Sequence, residues 1–209
     1  MIMADKVDLK KELKAVYKPS AKQFSIVEVP PMQFLMVDGA GNPNTAQAYA
    51  DAIETLYAVS YTAKFMMKQE HGRDYGVMPL EGLWWGTPKG KTHFTEEDKD
   101  KFIWTAMIMQ PDFVTPALME EGIRRAVAKK TLPSLDKLRF ETFEEGLSVQ
   151  ILYFGPFTDE GPTIERMHQH AFDEGYQLRD KHHEIYLSDI RRTAPEKLKT
   201  VLRHPIEKA

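Results

Sequence analysis

The feature that most constrains the fold is an order of predicted elements that occurs twice along the chain. Residues 23–112 read as strand, helix, strand and strand, and residues 136–205 repeat this order without repeating its amino-acid motif. Two such units can pair their sheets about a pseudo-two-fold axis, with a linking helix near 116–130. We predict an α+β domain over 23–205. It follows an N-terminal arm at 1–22, which is either a loose segment or contains a short helix around Asp8–Val16. Helices would cover one sheet face, and a ligand cleft between the halves would occupy the other.

Hydrophobic periodicity places the elements of the first half. Phe24–Val37 is extended but contains Pro30-Pro31, which predicts two strand pieces because proline cannot donate to a ladder. A long helix is predicted to begin at Pro43, with a neighbouring Asn as its cap, and to continue to about Lys68. Its apolar stripe consists of Tyr49, Ile53, Leu56, Tyr57 and Ser60. Two further strands are predicted at Tyr75–Trp85 and Phe102–Met109.

The second half contains the same signals. Arg139–Phe154 alternates loosely, and Gly146 within it predicts a hairpin turn or a bulge. An apolar stripe over 164–172 predicts a helix with Gly175 as its C-terminal cap. The remaining predicted elements are a linking helix that starts at Thr115-Pro116, and strands at His183–Ser188 and Lys199–His204.

Composition excludes several classes of protein. The chain has 209 residues and no cysteine, which removes disulfides, thiolate metal sites and cysteine nucleophiles. Lys and Arg number 28 and Asp and Glu 31, so the formal charge is 28 − 31 = −3. This balance lacks the basic face that nucleic-acid binding needs. No apolar run approaches the ~20 residues of a membrane span, and the charged N-terminus lacks a signal-peptide core. We therefore expect a cytoplasmic protein that binds neither nucleic acid nor membrane.

The histidines show no metal-binding spacing. His168 and His170 are two apart on a predicted helix, and His182 and His183 alternate across a predicted strand, so the members of each pair face apart. No H-E-x-x-H, Walker or G-x-G-x-x-G pattern is present. We predict neither a metal nor another cofactor.

The strand at 183–188 carries the first candidate site. Glu184 and Tyr186 share one face, and they lie about 7 Å apart along the strand. A carboxylate and a phenol at this separation can both reach one ligand. The alternative is a solvated outer face, and the alternation is compatible with both.

Aromatic residues, 11% of the chain, supply the other candidates. Trp85 shares its strand face with Glu81, whereas Trp84 points to the opposite face, on the side of Gly82. One tryptophan would pack in the core and the other would form a pocket wall, or both would be ordinary core or surface residues. Trp104 is more typical of a core residue. The same ambiguity applies to Tyr153, Phe154 and Phe157.

Three segments resemble the GyrI-like small-molecule-binding family, whose fold is the effector-binding domain of multidrug-sensing transcription activators. They are Pro31–Pro43, Pro79–Trp85 and His183–Arg192. The resemblance implies a duplicated strand–helix–strand–strand fold with a ligand cleft lined by aromatics and a carboxylate. The activators of the family add a helix-turn-helix domain, for which residues 1–22 are too short. DNA binding is therefore not expected.

The resemblance also implies residue roles. Glu184 would be the central acid, and Tyr186, Trp85 and Trp104 would form the walls. We assign Glu184 and Tyr186 as the catalytic candidates if the protein is an enzyme. Further candidate ligand contacts are Glu81, Tyr153 and Phe157.

Three functions remain compatible with these residues. The first is a stand-alone binding protein for planar apolar or cationic small molecules. The second, implied by a subfamily that the Trp-rich chain resembles, is a hydrolase that opens the cyclopropane of DNA-alkylating natural products. Aromatic faces would stabilise the developing cation, a carboxylate would activate water, and a tyrosine would bind the oxyanion. The third is an interaction protein whose aromatic face is covered by a partner. The oligomeric state is left open.

Overall fold

The computed structural model describes residues 5–86 and 96–209, and it confirms the predicted α+β class. The connection between the strands predicted at Tyr75–Trp85 and Phe102–Met109 therefore lies in part outside the described residues. The helices are α1 Leu9–Glu12, α2 Lys14–Tyr17, α3 Gln47–Glu70, α4 Glu96–Lys99, α5 Pro116–Lys129 and α6 Gly161–Asp173. The strands are β1 Asp5–Val7, β2 Ser25–Val29, β3 Met32–Ala40, β4 Arg73–Tyr75, β5 Leu80–Trp85, β6 Ile103–Gln110, β7 Arg139–Phe143, β8 Gly146–Phe154, β9 Tyr176–Leu178, β10 His182–Tyr186 and β11 Lys199–Lys208.

Within the described residues, nine strands form one antiparallel sheet. Its order is β2–β8–β11–β10–β5–β6–β3–β7, and β9 adds to β11. The central pair, β5 with β10, joins the two predicted halves. Outward from this pair the order is β6–β3 on one side and β11–β8 on the other, as two paired units would give. The spatial two-fold axis stays a prediction.

The predicted hairpin around Gly146 is wrong. Gly146 does adopt a positive φ of 69°, which suits glycine. However, β7 pairs with β3, and β8 pairs with β2 and β11. A turn residue indicates that the chain changes direction at that point. Which strands then pair with each other depends on tertiary packing.

The long helix α3 begins later than its sequence signals predict. Its first residue is Gln47, and Ala46 is the N-cap without a side-chain hydrogen bond. Asn42 instead accepts a hydrogen bond from the backbone N–H of Asn44 at 3.0 Å, so the Asn-Pro-Asn segment makes a turn before the helix. The linking helix α5 does follow its signals, with Thr115 accepting from the backbone of Leu118. None of the described helices is long and apolar enough to cross a membrane.

Helices α3 and α6 cover the same face of the sheet, which we call the helix face. Ser60 of α3 accepts a hydrogen bond from Gln110 of β6 at 3.1 Å. His168 of α6 lies 3.2 Å from His204 of β11. Cross-strand register places Trp104, Trp84 and Glu184 on this face as well. The candidate site thus lies on the same face as α3 and α6, and not on the face opposite the helices as predicted, because alternation does not indicate which set of side chains a helix will cover.

The opposite face of the sheet is covered by the N-terminal segment. Leu9, Val16 and Tyr17 of α1 and α2 are buried. Gln150 of β8 donates a side-chain hydrogen bond to the carbonyl of Ala15 at 2.7 Å. The segment predicted as an arm at 1–22 therefore includes short helices that belong to the core.

Candidate functional site

At the centre of the helix face, hydrogen bonds link three side chains of β5 and β10 in a chain. The indole Nε1–H of Trp84 donates to the Tyr186 hydroxyl at 3.1 Å. That hydroxyl donates to Glu184 Oε2 at 2.8 Å. About 16% of the Glu184 side-chain surface stays exposed. Tyr186 thus orients the Glu184 carboxylate, and the exposed part of the Glu184 side chain can contact a ligand.

Two glycines make room for the tryptophans of this region. Gly82 pairs with Glu184 across β5 and β10, and a Cβ on Gly82 would lie 2.6 Å from Trp84 Nε1. A Cβ on Gly39 of β3 would lie 2.1 Å from the Trp104 ring. Each indole therefore lies directly over a glycine, in the space that a side chain at that position would fill.

Aromatic rings extend the site towards α3. The Tyr49 ring is 4.9 Å from Trp104 and 5.8 Å from Trp84, measured between ring centroids. Trp104 is 1% exposed and donates its Nε1–H to the carbonyl of Gly41 at 3.2 Å. Trp104 therefore supports the wall formed by Tyr49 and Trp84 from inside the core.

The second half supplies the other wall. The Phe157 ring lies edge-on to Tyr186 at 5.4 Å, and 41% of Phe157 is exposed. Tyr153 shares the face of Tyr186 through Thr200, which pairs with both, and its hydroxyl donates to the carbonyl of Pro156 at 3.3 Å. Tyr153 thus anchors the turn that presents Phe157.

A second carboxyl lies close enough to interact with Glu184. Glu160 is 3% exposed, and its Oε1 has no hydrogen-bond partner among the described groups. Burial, followed by the charge of Glu184, raises the pKa of Glu160 well above its ordinary value. Glu160 therefore holds its proton more tightly than an ordinary carboxyl, and a positive ligand nearby would favour its ionised form.

The phenols of the site are hydrogen-bond donors at neutral pH. Burial and then the Glu184 charge raise the pKa of both Tyr186 and Tyr49. Neither tyrosine therefore supplies a nucleophilic phenolate. Each hydroxyl keeps its proton and can donate a hydrogen bond to a developing negative charge.

Two predicted site residues lie elsewhere. Glu81 is fully buried on the opposite face, where it accepts from the Tyr17 hydroxyl at 2.7 Å and lies 2.9 Å from His183. Trp85 shares that side of the strand, and its ring carries the Lys181 ammonium at 3.5 Å. The Gly82–Glu184 register places Trp84, and not Trp85, beside the carboxylate.

Glu81 instead belongs to a buried network that joins the sheet to the N-terminal segment. His183 lies 2.9 Å from Glu145, and Arg203 donates to Glu145 at 3.0 Å. Arg203 also donates to the carbonyl of Val16 at 2.6 Å. Against the effect of burial, His183 and Arg203 lower the pKa of Glu145 to about 2. Against burial, Glu145 and then Glu81 raise the pKa of His183 to about 9. Glu145 is therefore an anion and His183 a cation at neutral pH, and the two lie against each other.

The sequence reasoning missed three groups of the helix face. Alternation along the strand places Trp84 on the same face as Gly82, but it does not show that this face, and not that of Trp85, contains the site. Tyr49 was placed only in the apolar stripe of its helix. Glu160 precedes α6 and gave no periodic signal. A further group, the histidines His168, His182 and His204, comes together from α6, β10 and β11 with ligand atoms within 4.8 Å of one another.

An open groove of about 640 Å³ lies beside this site. It is lined by charged and apolar side chains that include Phe154, Asp189, Arg192 and Lys199. Apart from Phe154, its lining residues follow Tyr186 in the chain, and Glu184 is not among them. The groove is solvated and lacks the aromatic enclosure of the Glu184 region.

The fold and its partly open, aromatic-walled carboxylate define a class of small-molecule-binding domain. The chain belongs to the GyrI-like family, since the model of the GyrI-like small-molecule-binding domain matches residues 22–207. A solved hydrolase from Listeria innocua is 40% identical, with a TM-score of 0.85, over 97% of this chain and all of that one. An uncharacterized conserved protein from Listeria innocua is 41% identical, with a TM-score of 0.87, over 96% of this chain and all of that one.

A more distant structure shares the fold. The C-terminal domain of EcmrR is 13% identical, with a TM-score of 0.53, over 90% of this chain and 98% of that one. The comparison with curated proteins gave no significant match.

Proposed function

We propose that this protein binds planar apolar or cationic small molecules at Glu184, between the rings of Trp84 and Phe157. The observation that carries the proposal is the partly exposed Glu184 carboxylate, held by Tyr186 at 2.8 Å and bounded by aromatic rings. Its membership of a small-molecule-binding family supports the same conclusion.

The electrostatics favour a cation over a neutral ring. Aromatic faces attract a cation by ~1–2 kcal/mol each when water is excluded. Glu184 supplies a full negative charge, and the buried Glu160 can ionise when a positive ligand arrives. A flat cation gains from both effects, whereas a flat neutral ring gains only from stacking.

The two adjacent tryptophans provide a matched test. Ethidium, a planar permanent cation, is titrated into wild type, Trp84→Ala and Trp85→Ala, and the quenching of protein fluorescence is measured. We expect Trp84→Ala to weaken binding at least 10-fold and Trp85→Ala to change it less than twofold. Phenanthridine, the neutral parent ring, should bind more weakly than ethidium. The opposite order of the two variants would contradict the proposed site.

A second candidate function is hydrolysis of a cyclopropane conjugated to a carbonyl. The hydrogen bonds from Trp84 to Tyr186 to Glu184 favour it, as does the 40% identity to a protein described as a hydrolase. Water would attack a ring carbon, the C–C bond would break, and its electron pair would pass to the carbonyl oxygen. Glu184 would take the water proton and then return it to the oxyanion, so that the net reaction adds one water across the broken C–C bond. The Tyr186 hydroxyl donates to Glu184 at 2.8 Å in the free protein. Once Glu184 holds the water proton, that hydroxyl would turn to donate to the oxyanion instead.

Turnover separates the two functions. Wild type, Glu184→Gln and Glu196→Gln, the last an exposed control, are incubated with a cyclopropane-containing alkylator and the product is followed by mass spectrometry. General-base catalysis predicts a ~10²–10⁴-fold loss in Glu184→Gln and none in Glu196→Gln. Wild-type turnover no higher than that of Glu184→Gln would exclude hydrolysis and would leave ethidium binding as an independent result.

A further inference from the structure

Three histidines meet on the helix face where α6 crosses the end of β10 and β11. His182 and His204 flank the paired residues His183 and Arg203 on the neighbouring strands. His168 reaches them from α6, with its Nε2 3.2 Å from His204 Nδ1. One nitrogen from each ring lies within 4.8 Å of the other two. The tertiary fold thus assembles a cluster from residues 14 and 22 positions apart in sequence.

The central histidine of this cluster makes no hydrogen bond within the described part of the chain. Both ring nitrogens of His182 are buried, and neither makes a hydrogen bond with any described group. A neutral imidazole carries one donor and one acceptor, and buried polar groups are nearly always satisfied. Glu184 Oε1 lies 3.4 Å from His182 Nε2 without forming a hydrogen bond. The unmet hydrogen-bonding capacity of this imidazole therefore indicates a ligand that is not part of the chain.

His168 and His204 contribute the other two nitrogens of the cluster. A neutral imidazole presents a lone pair on one ring nitrogen, which is the group that a metal ion binds.

We propose that His168, His182 and His204 bind one divalent transition-metal ion, and that zinc is the ion this ligand set fits best. Zinc takes imidazole nitrogens at ~2.0–2.1 Å in tetrahedral geometry, which separates ligand nitrogens by ~3.4 Å. The observed nitrogens lie within 4.8 Å of one another, so metal binding would require the rings to move closer together. Calcium and magnesium prefer oxygen ligands such as carboxylates, so a site of three imidazoles disfavours both ions.

Glu184 lies next to the proposed ion. Its Oε1 is 3.4 Å from His182 Nε2, a position from which a carboxylate can orient a metal-bound imidazole. Three imidazoles leave a fourth tetrahedral position, which a water or the Glu184 carboxylate would fill. Zinc binding at this cluster requires neither hydrolysis nor a ligand between the aromatic rings.

Metal titration of the full chain tests the site. The protein, free of any added histidine tag and treated with a chelator, is titrated with Zn²⁺ by calorimetry and with Co²⁺ by visible absorption. We expect one ion per chain and the intense absorption of tetrahedral Co²⁺. His182→Gln and His204→Gln should each lower zinc affinity by ~100-fold or more, since each removes a ligand.

Two histidines outside the cluster serve as matched controls. His170→Gln changes the same helix as His168, and His71→Gln changes an exposed histidine at the end of α3. Both should bind zinc as wild type does. Circular dichroism checks that each variant folds, and His168→Gln replaces any strand variant that does not. Failure of wild type to bind one Zn²⁺, or binding that persists in the folded His168, His182 and His204 variants, would overturn the proposal.

Discussion

The indole of Trp84 lies against Gly82 of the same strand, so closely that a Cβ on Gly82 would be 2.6 Å from the indole nitrogen. Gly82 also faces Glu184 on the neighbouring strand. The position of Trp84, and hence its hydrogen bond to Tyr186, depends on the absence of a side chain at residue 82.

Gly82→Ala should therefore displace the indole. We expect ethidium affinity to fall about 10-fold and the free energy of unfolding to fall by ~1–3 kcal/mol, the usual cost of overpacking. Fluorescence titration and urea unfolding measure the two effects. Gly76→Ala is the control, because a Cβ there would meet nothing within 4 Å. Equal effects of the two substitutions would show that the Gly82–Trp84 contact does not position the site.

Tyr17→Phe should destabilise the protein without touching the helix face. The Tyr17 hydroxyl donates to the fully buried Glu81 at 2.7 Å, and its removal leaves a carboxylate oxygen without that donor. We expect a loss of ~1–3 kcal/mol in the free energy of unfolding with ethidium binding unchanged. Tyr61→Phe removes a hydroxyl from a ring that is 49% exposed, and it should be neutral. A neutral Tyr17→Phe would mean that water replaces the hydroxyl.

Glu145 should make stability depend on acid pH. Its folded pKa is about 2, below the ordinary value of 4.5. The Glu145 carboxylate therefore stabilises the fold above about pH 4.5, and this contribution is lost as pH falls towards 2. Urea unfolding should show Glu145→Gln destabilised by a few kcal/mol at pH 7, with the difference from wild type shrinking between pH 5 and pH 3. The neighbouring exposed Glu144 gives the control, since Glu144→Gln should follow wild type at every pH. A constant difference for Glu145→Gln would contradict the pairing.

Glu160 should link cation affinity to pH. Burial and the Glu184 charge raise its pKa, so a bound cation favours its ionised form and the affinity for ethidium should rise as pH increases through that pKa. Glu160→Gln should flatten this dependence, whereas Glu174→Gln, on the exposed end of α6, should leave it intact. The measurement is ethidium titration across pH 5 to 9. A pH dependence that is identical in wild type and Glu160→Gln would show that Glu160 does not face the ligand.

Period-two alternation was sufficient for part of the site. It placed Glu184 and Tyr186 on one face, and the structure finds them hydrogen-bonded. It could not choose between Trp84 and Trp85, because that choice depends on the register between β5 and β10. Register follows from packing across the whole sheet, and a shift of one residue exchanges the two faces.

Non-local pairing explains the other differences. Gly146 was recognised as a turn residue, but the partners of β7 and β8 lie far along the chain. His168, His182 and His204 have no common spacing, so only the packing of α6 on β10 and β11 brings them together. Periodicity reports faces within one element, and it contains no information about contacts between distant elements.

The N-terminal helices have a consequence for where the folding unit begins. Similarity to the GyrI-like family starts at residue 22, yet Val16 and Tyr17 supply groups that contact Arg203 and Glu81 inside the sheet. A fragment cut at the limit of family similarity would open these paired charges to water on one side. The folding unit therefore begins before residue 22, where the match to the family model starts.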